Sequence, residues 1–439
     1  MRANGSTGIV ARIYRNLGLL VGGKATAGVL SLAYMVLAAR ALGPAEYGVL
    51  ILVHTYTVTV GGIVSFPGWH AVVRYGAEAV AADDVPRMMR LLRFTATLEL
   101  GVAAAAIIIA MALAPWIGPR LGWSDQALAF AAPYSFAVLA SVRSTPAGLL
   151  QLLGRFGWLG LHNIVAPLVR LLGAVAVVLL HSGLKGFLLV WLSAALAEWL
   201  SLWLLGWLAL RAHGHSTLMS VSLDGIHAEN PGLWRFMLAA NADIAFSELA
   251  GRLAPLTIGW VLGPAAAGLY ALAQRATAIL VQPAQILGQA AFAELARLVA
   301  GGGSPPAVRH ALARTGAIAL LVSVPIVALM VLFSGQLIRA LGGAAYASAA
   351  TIMIWLAAAR LLLMVAPPIS AALTAMGRPG LSVRANLFSS LGLLPLLPLL
   401  LWQFEVAGAG LHALLQAFAA SAMLVLFVLR ITRPPAVPV

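Results

Sequence analysis

The stretch ARALGPAEYGVL, Ala39 to Leu50, is echoed as GWVLGPAAAGLYAL, Gly259 to Leu272. At an offset of 220 residues, Leu42, Gly43 and Pro44 fall on Leu262, Gly263 and Pro264, and Gly48 falls on Gly268. A second match follows, LLGRFG at Leu152–Gly157 against AMGRPG at Ala375–Gly380, with the offset now 223. Two matches at nearly one offset point to an internal duplication. Locally, Gly43 is expected to end a helix in the left-handed conformation. Pro44 is expected to open the next helix, where its missing N–H costs nothing. Glu46 then lies in the first turn, where the helix dipole favours an acid. The elbow reads as a tight helical hairpin with no chemical role of its own.

Composition sets the class. Of 439 residues, 62% are hydrophobic and 9% charged, with a mean hydropathy of +0.97. That excludes an ordinary soluble domain and predicts an all-α polytopic membrane protein. Apolar runs bounded by Gly, Pro or charge give twelve expected spans, near 17–40, 46–66, 92–114, 128–151, 157–180, 186–210, 236–261, 266–289, 312–334, 347–372, 382–403 and 407–430. They divide into an N-terminal six-helix bundle (1–215), a cytoplasmic linker (216–235) and a C-terminal six-helix bundle (236–439). With six spans per half, both halves enter from one side, so the repeat is parallel, about an axis along the membrane normal. The N-terminus, MRANGSTGIVARIYRN, is basic without a signal-peptidase pattern, and the first span is expected to be retained. There is no cysteine, which excludes disulfides and thiolate metal sites.

A net charge of +14 follows topology here rather than nucleic acid. With both termini cytoplasmic, 17 of the 27 Lys and Arg residues fall on inner segments and four on outer ones (Arg40, Arg120, Lys185 and Arg339). The remaining six lie inside spans: Lys24, Arg143, Arg170, Arg252, Arg275 and Arg360. Against them stand Glu99, Glu198, Asp243 and Glu248.

The elbow, the segment GWHAVVRYGAEAVAADDVPRMMRLLRF, and in the second half LGPAAAGLYALAQRA, PAQILGQAAFAELARL and MGRP resemble the polysaccharide flippases of the multidrug/oligosaccharidyl-lipid/polysaccharide exporter superfamily. The resemblance covers roughly residues 15–430. It implies two helical bundles around a central cavity that opens alternately to each side. It also implies movement of undecaprenyl-diphosphate-linked oligosaccharide from the inner to the outer leaflet of a bacterial inner membrane. Such a protein is not an enzyme, needs no cofactor or metal, and has as partners its lipid-linked substrate, membrane lipids, and a polysaccharide polymerase with its chain-length machinery, but no nucleic acid.

The buried charges suit that cargo. Ionisable groups inside a membrane face a wet cavity or a partner. Arg offers paired donors to phosphate oxygens and Lys a mobile point charge. The six cations are therefore candidate diphosphate or glycan contacts, and Glu198, Asp243 and Glu248 candidate ion-coupling or charge-pairing groups. Structural pairing is the competing explanation: Glu248 with Arg252 one turn away, Arg170 with Glu198 on neighbouring spans, and Asp243 with Lys24 across the repeat. His54 aligns with Gln274, beside Arg275, and reads as a hydrogen-bonded packing residue.

Other features point elsewhere. GLLVGGKAT, Gly18–Thr26, has P-loop spacing but Ala25 in place of Ser or Thr, and no preceding strand. Trp191, Trp199, Trp203 and Trp207 are expected to face lipid or its interface. His213 and His215 are too sparse for a metal site, and GGGSPP (Gly301–Pro306) reads as a flexible turn. Arg87, Arg90 and Arg93 suggest anchoring at an anionic leaflet. The rival functions are a drug or cation antiporter, which calls for a net acidic cavity, and a membrane glycan polymerase or ligase, which calls for a sizeable outer loop.

Overall fold

A chain this apolar must satisfy its backbone N–H and C=O groups internally, which an α-helix does within one segment. The computed structural model describes residues 4–64, 68–213, 222–280, 298 and 304–432, and among these it contains helices and no strand. Seven of the described helices are long and apolar enough to cross a bilayer. Gly22–Val64, at 43 residues, would be about 64 Å long if straight, twice a ~30 Å hydrocarbon core. Non-helical Gly43 divides it. Glu405 divides Leu396–Ile431 in the same way. The chain is an all-α polytopic membrane protein.

In chain order the first helices are α1 (Asn4–Val64), α2 (Trp69–Ala81), α3 (Val85–Arg120), α4 (Asp125–Ala129), α5 (Ala131–Tyr134), α6 (Ser144–Leu152), α7 (Phe156–Leu179), α8 (Gly183–Ala212), α9 (Ile226–Glu229) and α10 (Leu233–Leu262). There follow α11 (Pro264–Ala276), α12 (Pro305–Leu332), α13 (Ser334–Gly342), α14 (Ala349–Leu362), α15 (Ala366–Ala375), α16 (Pro379–Leu387) and α17 (Leu396–Ile431). They form two compact units: Met1–Leu42 with Val53–Ala245, and Gly43–Leu52 with Phe246–Val439.

The elbow of α1 thus packs with the second unit, and there the repeat acquires a physical reason. Gly43 (φ 69°, ψ 175°) and Gly263 (φ 83°, ψ 176°) share one backbone conformation. The φ is positive as expected. The ψ lies in a mirror-extended region open essentially to glycine, not in the left-handed helical well. One turn on, the two elbows meet. A Cβ on Gly48 would lie 1.7 Å from the Pro264 carbonyl oxygen, and one on Gly268 2.3 Å from that of Pro44. Leu-Gly-Pro-x-x-x-Gly is one device used twice, each glycine admitting the backbone of the other elbow. The second match is equally literal. Arg155 N–H donates to the Leu150 carbonyl and Arg378 N–H to that of Leu373, both at 2.8 Å, closing the same helix-end motif over Gly154 and Gly377.

In the first unit, the described part of the segment read as a linker is folded onto the helices. Ile226, Leu233 and Met237 pack with Ala71, Tyr75 and Leu91. Arg90 holds Glu229 through two N–H donors, and Arg87 bonds Asn230 (3.2 Å) and Glu78 (3.0 Å). Two carboxylates and an amide of the same unit hold Arg87 and Arg90.

Replacing Gly48 with Ala overpacks the elbow contact and should cost about 1–3 kcal/mol. Gly28→Ala has nothing within 4 Å of the new methyl and should be neutral or gain about 0.5–1 kcal/mol. Thermal unfolding in detergent checks this; equal midpoints for the two variants would refute the contact.

Candidate functional site

The segment expected as one span over 128–151 is broken. A 3-10 helix runs Ser135–Ser141, Val142 and Arg143 leave helical geometry (Arg143 φ −146°, ψ 11°), and α6 begins at Ser144. The sequence carries the reason in Ser144-Thr145-Pro146: Pro favours a first turn, where its missing N–H loses nothing. The first amides of α6 and the Val142 carbonyl have partners in the protein. Glu99 of α3 accepts from Ser144 N–H through Oε1 (2.5 Å) and from Thr145 N–H through Oε2 (2.9 Å). Pro146 has no N–H, and Ala147 N–H reaches the Arg143 carbonyl at 3.1 Å. Trp203 Nε1 donates to the Val142 carbonyl at 2.9 Å. Glu99 is only 4% exposed and acts as a helix cap.

Arg143, at the joint, is ion-paired through Nη1 to Glu198 Oε1. His162 lies 3.5 Å from the same nitrogen through Nε2, so Nδ1 carries the proton and donates to Ser201 Oγ (3.0 Å), whose hydroxyl donates to the Glu198 carbonyl (3.0 Å). The expected Arg170–Glu198 pair is therefore corrected. Counting from the turn that joins α7 and α8 explains why. At about 1.5 Å per residue, Glu198 lies about 23 Å from its helix start at Gly183 and Arg170 about 14 Å from Leu179, a mismatch of about 9 Å. His162 and Trp191 are the residues level with Glu198 and Arg170, respectively.

Arg170 instead sits among neutral groups. Its Nη1 donates to Tyr34 OH at 3.2 Å, Nη2 lies 3.5 Å from His54 Nε2, and His54 Nδ1 meets Tyr134 OH at 2.9 Å. The guanidinium carbon is 5.6 Å from the Tyr34 ring centre and 5.5 Å from that of Trp191. Its Nε is buried without a partner, and among the described residues no carboxylate lies within ion-pair distance. Tyr34, Tyr134 and Trp191 were not legible as site residues. Trp191, expected to face lipid, is 2% exposed, whereas Trp207 is exposed as expected.

The other expected site residues are scattered. Lys24 is exposed on a continuous helical stretch, which leaves no place for a P-loop. Arg252 is half-buried and engaged, Arg275 is exposed, and half-buried Arg360 lies within electrostatic reach of Tyr270. The side chains of Asp243 and Glu248 lie outside the described residues, as do His215 and Gly301–Gly303 of GGGSPP, so the pairings expected for the two acids have no geometry here. The second unit repeats the broken helix: α14 ends at Leu362, a 3-10 turn spans Leu363–Val365, and α15 starts at Ala366-Pro367-Pro368.

Glu99→Ala leaves two buried amides unmet and should destabilise the protein by about 1.5–3 kcal/mol. Amide exchange at Ser144 and Thr145 should accelerate with it. Unchanged exchange at both would show that Glu99 does not cap α6.

Similar proteins place this geometry. The inner membrane protein YghQ of Escherichia coli (strain K12) is 28% identical over 291 residues, 66% of this chain and 82% of that protein. The lipid II flippase MurJ, in an inward closed conformation, superposes with a TM-score of 0.71 at 12% identity, covering 93% of this chain and 87% of MurJ. An inward-facing multidrug resistance transporter of the MATE family, in the MOP superfamily, gives 0.68 at 13% identity, covering 96% and 98%. These two likenesses are of fold. Residues 36–351, most of the chain, match the family described as polysaccharide biosynthesis protein, and the chain belongs to that family.

Proposed function

We propose that the protein is a flippase that carries undecaprenyl-diphosphate-linked oligosaccharide from the inner to the outer leaflet of a bacterial inner membrane, by alternating access, for synthesis of O-antigen, capsule or exopolysaccharide. The observation that carries the reading is Arg170. A guanidinium held inside a helical unit by two aromatic faces, a phenol and an imidazole, without a described carboxylate, is a cation kept available for an anion. A diphosphate diester offers about two charges and paired oxygens that match the guanidinium fork. Membership of a polysaccharide biosynthesis family supports a glycan cargo, and the fold of a lipid II flippase supports a lipid-linked one. The E. coli relative, an inner membrane protein, supports the location. Inside-negative potential favours outward movement of an anion by about 2.3 kcal/mol per charge per 100 mV.

The MATE likeness favours one other reading, a drug antiporter. A cationic drug would meet Arg170 as a like charge, so the arginine argues for an anion.

Arg170→Gln should lower glycan export at least about tenfold, the loss of one charge-assisted contact of about 1.5–3 kcal/mol, with the protein still present in the membrane. Arg170→Lys should keep part of the activity. The assay is surface glycan in cells lacking the native gene, with membrane protein quantified alongside. Full export by Arg170→Gln would overturn the assignment.

A further inference from the structure

Glu99 and Glu198 are both carboxylates at the joint before α6, and their surroundings differ. Glu99 is 4% exposed and spends both oxygens on backbone amides. Glu198 spends Oε1 on Arg143, and the two side chains are 20% and 40% exposed, so an anion can reach the guanidinium without unfolding a helix. Arg143 is itself one of the two non-helical residues of the joint.

We infer that the Arg143–Glu198 pair is a proton-linked anion latch: a phosphate diester takes Arg143 from Glu198, and Glu198 takes up one proton from solvent as it lets go. This rests on the reading of the cargo as a diphosphate. The charge balance is simple. In the closed latch the guanidinium and carboxylate cancel. When a phosphate oxygen replaces the carboxylate, Glu198 is left as an unpaired anion beside another anion, and protonation removes that repulsion. Each event favours the other by the same factor, as linkage requires.

Among the described groups facing the pair, Glu198 is the one left as acceptor. A proton on His162 would set two cations 3.5 Å apart. Ser201 and Trp203 are neutral and already donate to carbonyls. Glu99 is closed in by its two amides. Arg170 is bound to Tyr34 and His54, on the level of Trp191 rather than of Glu198.

The test uses the full chain purified in detergent and two probes whose diphosphate diesters keep a constant charge across neutral pH: a short-prenyl diphospho-sugar and a nucleoside diphospho-sugar. For wild type, a pH indicator in weak buffer should record about one proton taken up per anion bound. Affinity should then weaken as pH rises, at most about tenfold per pH unit, the limit for one linked proton. Glu198→Gln, which removes the competing charge, should bind more tightly, without pH dependence and without proton uptake. Linkage with both probes assigns the latch to the diphosphate alone; linkage with the prenyl probe only assigns it to the lipid form. Binding to wild type without proton uptake and with constant affinity overturns the latch and leaves the cargo standing. Failure of both probes to bind at any pH overturns the cargo and the latch together. If Glu198→Gln does not fold, the wild-type proton count decides.

Discussion

Everything in the first unit depends on one constraint: a helix broken at membrane depth must have its freed backbone groups satisfied by protein. The joint at Val142–Arg143 meets it with a carboxylate, a proline and an indole, drawn from α3, α6 and α8. Because three helices are committed to this task, their registers are fixed, and the positions of Arg143 and Glu198 follow from those registers. The second unit solves a similar problem with different groups. Where π-helical Phe388–Gly392 interrupts the run before α17, His412 and Gln416 bond the carbonyls of Leu393 and Ser390 at 3.0 and 2.9 Å. At the counterpart of the Arg143 break, Ser421 Oγ donates to the Leu362 carbonyl at 2.8 Å, so the duplication preserved that break and the elbows but not the polar residues that support it.

This explains which parts were legible in the sequence. The elbows were, because Leu-Gly-Pro-x-x-x-Gly records a backbone requirement at each glycine and no other residue fits. The Gly-Arg turns were legible for the same reason, Gly154 and Gly377 both taking positive φ. The break at Arg143 left a signal in Ser-Thr-Pro, and Pro367-Pro368 marks its counterpart, but an apolar run over 128–151 hides both when hydropathy alone is read. Charge pairing was not legible. It depends on helix ends to within a few residues, and Lys185, placed in an outer loop by its charge, lies inside α8. Three residues of error at that end moved Glu198 about 4.5 Å, enough to pair it with Arg170 on paper.

Exchanging the partners changes the electrostatics. Had Glu198 neutralised Arg170, the cation lacking that carboxylate would be Arg143, at a joint and partly exposed. With Glu198 on Arg143, the cation without a described carboxylate is the one in the middle of α7, between aromatic rings. Rings and neutral acceptors stabilise a guanidinium less than a carboxylate does, so its capacity to hold an anion is retained rather than spent. A lysine ammonium at this place would lack the planar fork that meets Tyr34 and His54 at once.

The two cations therefore differ in kind, and that difference suits a cargo with more than one charge. Arg170 is bound to uncharged groups, so on the proposed reading the free energy it offers an anion varies little with conditions. Arg143 offers its charge only in competition with Glu198, so its contribution varies with proton activity. On the proposed reading, an anionic cargo would meet one cation whose charge is constant and another whose charge is conditional on proton activity. The remaining cations, Lys24, Arg252, Arg275 and Arg360, lie on other helices. In the first unit the Arg143–Glu198 pair sits at the joint that the backbone constraint had already fixed, while Arg170 lies at another level among residues of α1, α5 and α8.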